Sequence, residues 1–386
     1  MINVSKLYCG LAGPSDHLRY SRPSQIGPVI AYNCTRRCNL QCEHCYSRSG
    51  CEGAPDELTT QQAKALLAEL KEAGCPVVLF SGGEPLLRSD LLELLAECQG
   101  LGLRTVLSSN GTLIDRTVAR HLADLAVAYV GISIDGPPDF HDTFRQSRGC
   151  FEQAMAGIAH CQDAGLRTGL RFTITPQNAS YVSFIFDLAR DHDVRRICFY
   201  HLIRSGRAAS GAAPSSSQTR QAVDTIIDKT SQSADWIEEV LTVDNHADGP
   251  YLLVRMQREG HPGLDEAISL LDKAGGNRVG QGIACVGWDG NVYADQFWRH
   301  HSLGNVKDAP FGRIWQDPSD PVLRRLRHKD QYAEARCKAC TWFSLCKGNY
   351  RSLAPGCADS DWRNEPACYL TDAETQARRA AARSLP

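Results

Sequence analysis

Three cysteines near the start of the chain have a spacing suited to iron–sulfur chemistry. Cys38, Cys42 and Cys45 follow the pattern C-x3-C-x2-C, directly after a short apolar run typical of a strand. Cysteine thiolates are the usual ligands of iron–sulfur clusters, and three ligands leave one iron of a cubane open to bind a small molecule. Zinc is the alternative, but zinc sites usually combine two such cysteine or histidine pairs. The spacing therefore favours a catalytic [4Fe-4S] cluster, with Cys34 as a further candidate ligand.

A second group of cysteines lies near the other end of the chain. Cys337, Cys340 and Cys346 have the spacing C-x2-C-x5-C, and Cys368 follows. Four thiolates would suit an auxiliary iron–sulfur cluster, but a C-x2-C pair with two further cysteines also suits a tetrahedral zinc site. Cys357 is an alternative fourth ligand. The spacing alone leaves both kinds of metal open.

Between the two cysteine groups, apolar runs typical of buried strands alternate with amphipathic patterns typical of helices. Six such units imply a parallel sheet with right-handed crossovers, and they are too few for a complete eight-stranded barrel. The pattern predicts an α/β fold, either a partial, open barrel or a doubly wound sheet, with its chemistry at the carboxyl ends of the strands. The predicted strands are 29–32, 77–80, 105–108, 129–134, 170–174 and 197–201.

Composition excludes several classes of protein. The 386 residues carry a formal charge of −2, which gives no basis for a nucleic-acid partner. No apolar run approaches the roughly 20 residues that cross a bilayer, and the first residues lack the pattern of a secretory signal. We therefore expect a cytoplasmic protein without a membrane partner. In that compartment, 17 cysteines indicate metal ligands rather than disulfides.

The motifs along the predicted strands resemble those of the radical S-adenosylmethionine (radical SAM) enzymes. The first cysteine group matches the cluster motif of that family, and later strand ends carry its other markers in order. The resemblance implies a cluster that binds S-adenosyl-L-methionine and, with an electron from a low-potential donor, cleaves it to a radical that abstracts hydrogen from the substrate. The residues it assigns to this cofactor are Tyr46 beside adenine, Gly82, Gly83 and Glu84 at the methionine amino group, Ser108 and Asn110 after the third strand, Ser133 and Asp135 at the ribose, and Arg171 at the methionine carboxylate.

The same resemblance suggests how the chain is divided. It implies a partial (β/α)6 radical SAM barrel and a small C-terminal domain of the SPASM/twitch type, which holds a second [4Fe-4S] cluster. Cys285 is a further candidate ligand, because related domains begin with a ligand there. The implied ligands of the second cluster are Cys337, Cys340, Cys346 and Cys368. The expected parts are an N-terminal extension (1–27), the barrel (28–203), a loop and helical connector (204–275) and the auxiliary-cluster domain (276–386).

Segments outside these motifs resemble the tetrapyrrole-modifying radical SAM enzymes of the alternative haem and haem d1 pathways. Residues 5–10 and 244–249 favour the deacetylase branch, which removes acetate side chains from 12,18-didecarboxysiroheme to give iron-coproporphyrin III. One alternative is the haem d1 branch, which acts on the propionates. The other is a radical SAM peptide maturase, although too few residues precede the first strand for the peptide-binding domain that such enzymes usually carry.

An iron-containing modified tetrapyrrole is large and anionic, so its binding requires an apolar slot and cationic side chains. His201, at the end of the sixth predicted strand, and His246, in a polar loop, are candidate catalytic residues, as proton donors or as ligands of the substrate iron. Arg204, Arg207 and Arg299 are candidate partners for the carboxylates, because guanidinium groups match carboxylate geometry.

Overall fold

The computed structural model describes residues 1–11, 13, 27–211, 213–349 and 367–377. The strands are β1 (Ile2–Asn3), β2 (Val29–Thr35), β3 (Val77–Gly82), β4 (Arg104–Ser109), β5 (Val130–Ser133), β6 (Thr168–Ile174), β7 (Arg196–His201), β8 (Glu239–Val243), β9 (Ile283–Val286), β10 (Asn291–Tyr293) and β11 (Gly304–Asn305).

The helices α1 to α10 are Val4–Tyr8, Thr60–Glu72, Leu91–Gly100, Arg116–Asp124, Pro138–Arg145, Cys150–Asp163, Val182–Asp191, Ser216–Gln232, Asp248–Glu259 and Leu264–Ala274. The helices α11 to α16 are Phe311–Gln316, Pro321–Arg327, Lys329–Tyr332, Ala335–Ala339, Phe343–Cys346 and Asp372–Thr375. Short 3-10 helices span Pro85–Leu87, Ala179–Tyr181 and Gly206–Ser210. None of the helices in the described ranges is long and apolar enough to cross a bilayer.

The strands form one sheet in the order β1-β8-β7-β6-β5-β4-β3-β2-β9-β10-β11. Strands β2 to β7 lie side by side in chain order, and each is parallel to the next. A doubly wound sheet reverses its strand order at a switch point, whereas β2 to β7 run in one direction. The structure therefore confirms the partial (β/α)6 barrel, and all six predicted strands are present.

Five further strands extend this sheet where sequence patterns gave no strand. β8 continues the parallel run beside β7, and β1 pairs antiparallel with β8. On the other side, β9 lies parallel to β2 and leads into the β10–β11 hairpin. The segment 204–275, expected to be a loop and helical connector, thus contributes strand β8 to the sheet. The C-terminal region joins the barrel sheet directly through β9. The proposed domain boundaries remain predictions.

The helix α2 shows why the predicted elements form. Thr59 and Gln62 make a reciprocal capping box at its N-terminus, which satisfies backbone N–H groups that have no partner within the helix. Its buried positions are Ala63, Leu66, Leu67 and Leu70, and this 3.6-residue spacing turns one apolar face toward the sheet. The buried apolar side chains form one large core that joins this face to the barrel strands.

The helix α6 packs unusually close to the loop that follows β4. A Cβ atom at Gly157 would lie 2.4 Å from the carbonyl oxygen of Gly111. That loop continues from Asn110, whose backbone N–H donates to the Glu84 carboxyl at 2.8 Å. The absent side chain at Gly157 therefore determines how near the helix comes to a loop at the carboxyl edge of the sheet.

We expect Gly157→Ala to destabilise the protein even though alanine favours helix more than glycine by about 1 kcal/mol. The added methyl group meets a backbone atom that cannot move freely, and overpacking of this kind costs roughly 1–3 kcal/mol. Gly100→Ala is the matched control, because it also lies in a helix and a Cβ atom there meets nothing within 4 Å. Thermal unfolding measures both variants, and equal midpoints for the two would contradict the expectation.

Candidate active site

A cleft with an empty volume of about 1070 Å³ opens at the carboxyl ends of the barrel strands. Eleven of the residues predicted for the barrel cluster, for S-adenosyl-L-methionine or for catalysis line it, whereas Glu84, Asp135 and His246 do not. The lining residues from that set are Cys38, Cys42, Cys45, Tyr46, Gly82, Gly83, Ser108, Asn110, Ser133, Arg171 and His201.

The first cysteine group forms a loop directly after β2. The backbone N–H of Cys38 donates to the Gly50 carbonyl at 2.7 Å and closes the base of this loop. Burial raises the pKa of the Cys38 thiol to about 12 and also raises the pKa of Cys42. A metal bound here must therefore displace thiol protons, since thiolates are the ligands.

A turn after β7 braces this cysteine loop from the other side of the cleft. Arg207 donates from Nε to the Cys42 carbonyl at 2.8 Å and from Nη1 to the Ser49 carbonyl at 2.7 Å. Its backbone N–H donates to the Cys45 carbonyl at 2.9 Å. Three carbonyl groups of the loop thus find partners in one residue. Of the three arginines proposed for substrate carboxylates, Arg207 lines the cleft but is engaged with the loop backbone.

The other two arginines have partners elsewhere. Arg204 donates to the Ala209 carbonyl at 3.3 Å in an exposed contact. The Arg299 guanidinium lies 4.0 Å from the ring centre of Trp288 and 5.2 Å from that of Tyr293. Neither residue lines the cleft, so the structure does not support their assignment to substrate carboxylates.

The loop after β3 is fixed to its neighbours on both sides. The backbone N–H groups of Gly83 and Glu84 donate to the carbonyls of Thr35 and Arg37. The buried Glu84 carboxyl accepts from the Ser109 hydroxyl and from the Asn110 backbone N–H, both at 2.8 Å. Burial raises the pKa of Glu84 to about 7, and these hydrogen bonds oppose the shift. Glu84 thus joins the ends of β3 and β4, and its contact with S-adenosyl-L-methionine remains a prediction.

Asp135 is paired within the protein. Its Oδ2 accepts from Arg145 Nε at 2.8 Å, and both side chains are buried. Burial raises the pKa of the Asp135 carboxyl, but the charge and hydrogen bond of Arg145, together with His44 and His141, outweigh it and hold this pKa below its usual value. The His44 ring stacks on Phe144 beside this pair. The contact of Asp135 with ribose likewise remains a prediction.

Aromatic side chains shape two walls of the cleft. The Tyr46 hydroxyl donates to Asn33 Oδ1 at 2.8 Å, and its ring packs edge-on against Phe297. On the opposite side, the Arg171 guanidinium lies 4.5 Å from the ring centre of Tyr200. This stacking holds the Arg171 side chain while leaving its N–H groups available for an anion.

The two predicted histidines have different surroundings. His201 lines the cleft, and its Nε2 is 2.8 Å from Asp248 Oδ2. Asp248 is buried and also accepts from the Tyr369 hydroxyl at 2.7 Å. His246 lies outside the lining, with its Nε2 3.4 Å from the Met1 amine. Of the two, only His201 is placed where a molecule in the cleft could reach it.

The second cysteine group surrounds its own small cavity, with an empty volume of about 380 Å³. Arg336 lies beside it and donates from Nη1 to Cys368 Sγ at 3.5 Å. Cys285 lies on β9 instead, and Cys357 falls outside the described residues. The cysteines that line this cavity are Cys337, Cys340, Cys346 and Cys368.

The thiols of both groups border cavities, with three at the carboxyl ends of the barrel strands and four beside Arg336. Such an arrangement suits an iron–sulfur cluster, which occupies the space between thiolates that each bind a different iron.

One residue of the cleft was missed by sequence reasoning. Asp244 lines the cleft immediately after β8, a strand that the helical pattern did not predict. Its position at a strand end is the signal that would have found it, since chemistry in such sheets collects at these ends.

Comparison with known proteins agrees with this geometry. Residues 32–189 match the radical SAM superfamily, and residues 278–341 match an iron–sulfur cluster-binding domain. The chain is 45% identical to an Fe-coproporphyrin III synthase of Methanosarcina barkeri, over 97% of this chain and 98% of the relative. It is 38% identical to a pre-heme d1 synthase of Dinoroseobacter shibae, over 93% of this chain and 92% of the relative.

Solved structures show the same fold. Streptococcus suis SuiB bound to S-adenosylmethionine superposes with a TM-score of 0.67 at 15% identity, over 84% of this chain and 73% of that one. The chain carries a radical SAM domain and a cluster-binding domain, and its cofactors are S-adenosyl-L-methionine and [4Fe-4S] clusters. The protein is therefore an enzyme that belongs to the radical SAM superfamily.

Proposed function

We propose that this enzyme removes the acetate side chains of 12,18-didecarboxysiroheme to give iron-coproporphyrin III in alternative haem biosynthesis. The observation that carries the proposal is 45% identity to an Fe-coproporphyrin III synthase over nearly the whole of both chains. A low-potential electron donor is the second partner that this chemistry requires. We also propose a cytoplasmic location, because buried thiols such as Cys75 and Cys98 lie outside disulfides.

We assign the catalytic cluster to Cys38, Cys42 and Cys45, which border the cleft. The auxiliary cluster is assigned to the four cysteines of the second cavity. When bound, the first cluster and S-adenosyl-L-methionine supply the radical that removes hydrogen from the substrate. Arg171 is the cleft's candidate for the methionine carboxylate, since Tyr200 stacking orients its guanidinium.

His201 is our candidate proton donor. A carboxymethyl group that leaves the ring becomes acetate by gaining one electron and one proton. The electron comes from the same class of low-potential donor that cleavage of S-adenosyl-L-methionine requires. The proton requires an acidic group in the cleft, and Asp248 holds His201 through Nε2, which leaves Nδ1 for the substrate. A carboxylate in this position orients the ring, and a ring that carries a proton on both nitrogens can donate from Nδ1.

The reaction is tested with anaerobically reconstituted protein, a chemical reductant, S-adenosyl-L-methionine and 12,18-didecarboxysiroheme, with products identified by mass. We expect the loss of two acetate groups together with formation of 5′-deoxyadenosine. Changes at the propionates without acetate loss would move the enzyme to the haem d1 branch, in line with the second relative. A lack of any change in the tetrapyrrole would contradict both readings and favour a peptide substrate.

The ligand assignment is tested by iron content. Cys38→Ala should abolish cleavage of S-adenosyl-L-methionine and remove roughly four iron atoms per chain, because one ligand of the catalytic cluster is lost. Cys340→Ala should remove a similar amount of iron while the cluster of the barrel remains detectable. Cys51→Ala is the control, since this exposed cysteine belongs to neither group. Unchanged iron in Cys340→Ala would argue against the second assignment.

For His201 we expect His201→Gln to separate two readouts. Formation of 5′-deoxyadenosine should continue, while deacetylated product falls about 100-fold or more, the usual effect of losing a general acid. His261→Gln, far from the cleft on the chain's surface, is the control. Equal loss of both products would show that His201 supports the radical step or the fold instead.

The turn that braces the cysteine loop gives a further prediction. Gly206 has φ +59, and a Cβ atom there would lie 2.2 Å from the Tyr46 carbonyl oxygen and 2.3 Å from that of Cys45. Gly206→Ala should therefore displace the loop and lower the iron content of the barrel. Gly211→Ala, at the end of the same turn, has a nearest contact of 3.5 Å and should keep its iron. Iron retained by both variants would refute this role of the turn.

A further inference from the structure

Asp244 is a buried aspartate in the wall of the cleft. Contacts with neighbouring residues do not account for its backbone conformation or for the burial of its carboxyl group. It follows β8 directly and is 6% exposed. Its φ is +71, a left-handed conformation that side chains other than glycine, asparagine and aspartate seldom adopt. Aspartate tolerates this backbone conformation, but so do glycine and asparagine. The conformation therefore does not explain why a carboxyl group is buried here.

The carboxyl group lacks a partner on one side. Its Oδ2 is buried and accepts no hydrogen bond from the described residues. Burying a polar atom without a partner costs about 1–3 kcal/mol, so native proteins rarely retain one without a use. Because Asp244 lines the cleft, a molecule bound there is the available source of a partner.

The chemistry of the proposed occupant indicates what that partner would be. The pyrrole nitrogens of a tetrapyrrole that holds iron carry no hydrogen, so the carboxylates of its side chains are its hydrogen-bonding groups. A carboxyl group that meets such a carboxylate must hold a proton between them, because two ionised carboxylates at hydrogen-bond distance repel each other. The neutral carboxyl group then donates to the ionised acceptor. Arg171 also lines the cleft and adds positive charge that favours an anion.

We propose that Asp244 is a substrate-positioning residue that donates a hydrogen bond from its neutral carboxyl group to a carboxylate of the bound tetrapyrrole. The inference rests on the proposed function, because it takes the macrocycle with its carboxylate side chains as the occupant of the cleft. Two kinds of side chain offer the same chemistry, the acetates that leave and the propionates that stay.

The test measures the Kd of tetrapyrrole for the cluster-loaded enzyme without reductant, and the absorbance of the macrocycle reports binding. Asp244→Gly removes the carboxyl group and suits the left-handed backbone, whereas Asp244→Asn keeps a donor of similar shape. We expect Asp244→Gly to raise Kd roughly 5- to 150-fold, the range for one lost hydrogen bond to a buried group. Asp244→Asn should stay within about threefold of the parent enzyme, because one hydrogen-bond donor replaces another.

Two ligands distinguish the source of the carboxylate. 12,18-Didecarboxysiroheme carries acetates and propionates, whereas iron-coproporphyrin III carries only propionates. An effect of Asp244→Gly on the first ligand alone assigns the contact to an acetate, and an effect on both assigns it to a propionate. Asp193→Gly is the matched control, since Asp193 has φ +50 but is exposed and distant from the cleft.

Several outcomes would overturn the inference. Unchanged affinity in Asp244→Gly would show that the carboxyl group does not touch the tetrapyrrole. An equal loss in Asp244→Asn would show that the residue acts as an anion and not as a neutral donor. Weakened binding of S-adenosyl-L-methionine with normal tetrapyrrole binding would place Asp244 at the cofactor. If the parent enzyme binds neither tetrapyrrole, the proposed function fails rather than this inference.

Discussion

The site depends on holding one short loop open at the end of β2. A loop that turns three thiols toward the same cavity pairs few of its backbone groups internally, such as the Cys45 N–H with the Cys42 carbonyl, and buried backbone groups without partners are costly. The neighbouring segments supply those partners. The N–H groups of Gln41 and Glu43 donate to the carbonyls of Arg145 and Phe144, and Arg207 serves three carbonyls from the opposite side. The loop is therefore anchored by the chain after β5 and after β7 at once.

This anchoring explains why charged side chains are buried beside the cleft. Arg145 presents its carbonyl to the cysteine loop while its guanidinium is paired with Asp135. Glu84 performs a similar task between the ends of β3 and β4. Buried ion pairs and networks add little net stability, because desolvation offsets their attraction. Their value here is geometric, since these hydrogen bonds fix the strand ends relative to each other.

The sequence predicts the parts of this molecule that depend on local patterns. Strands β2 to β7 are buried apolar runs with helices between them, so their existence follows from periodicity alone. Their order in the sheet does not, because the same pattern also suits a doubly wound sheet. β8 has five residues beside a polar segment, too short for its pattern to stand out from the surrounding helices. Because the pattern does not predict β8, it also does not single out Asp244 as a site residue. Asp244 lines the cleft because it lies at the end of that strand. His246 shows the same limit, because only the fold places it against the Met1 amine and outside the cleft lining.

A single turn of chain at the start of α9 ties the two cysteine cavities together. Asp244 belongs to the wall of the cleft, whereas Ala247 and Pro250 line the cavity of the second cysteine group. Asp248 lies between them and bonds to His201 on one side and to Tyr369 on the other. Because Tyr369 follows Cys368 directly, two buried hydrogen bonds connect the second cysteine group to the histidine in the cleft. The C-terminal region thus contributes to the shape of the active site itself. Its removal would take away the Tyr369 hydroxyl that bonds to Asp248 behind the wall of the cleft.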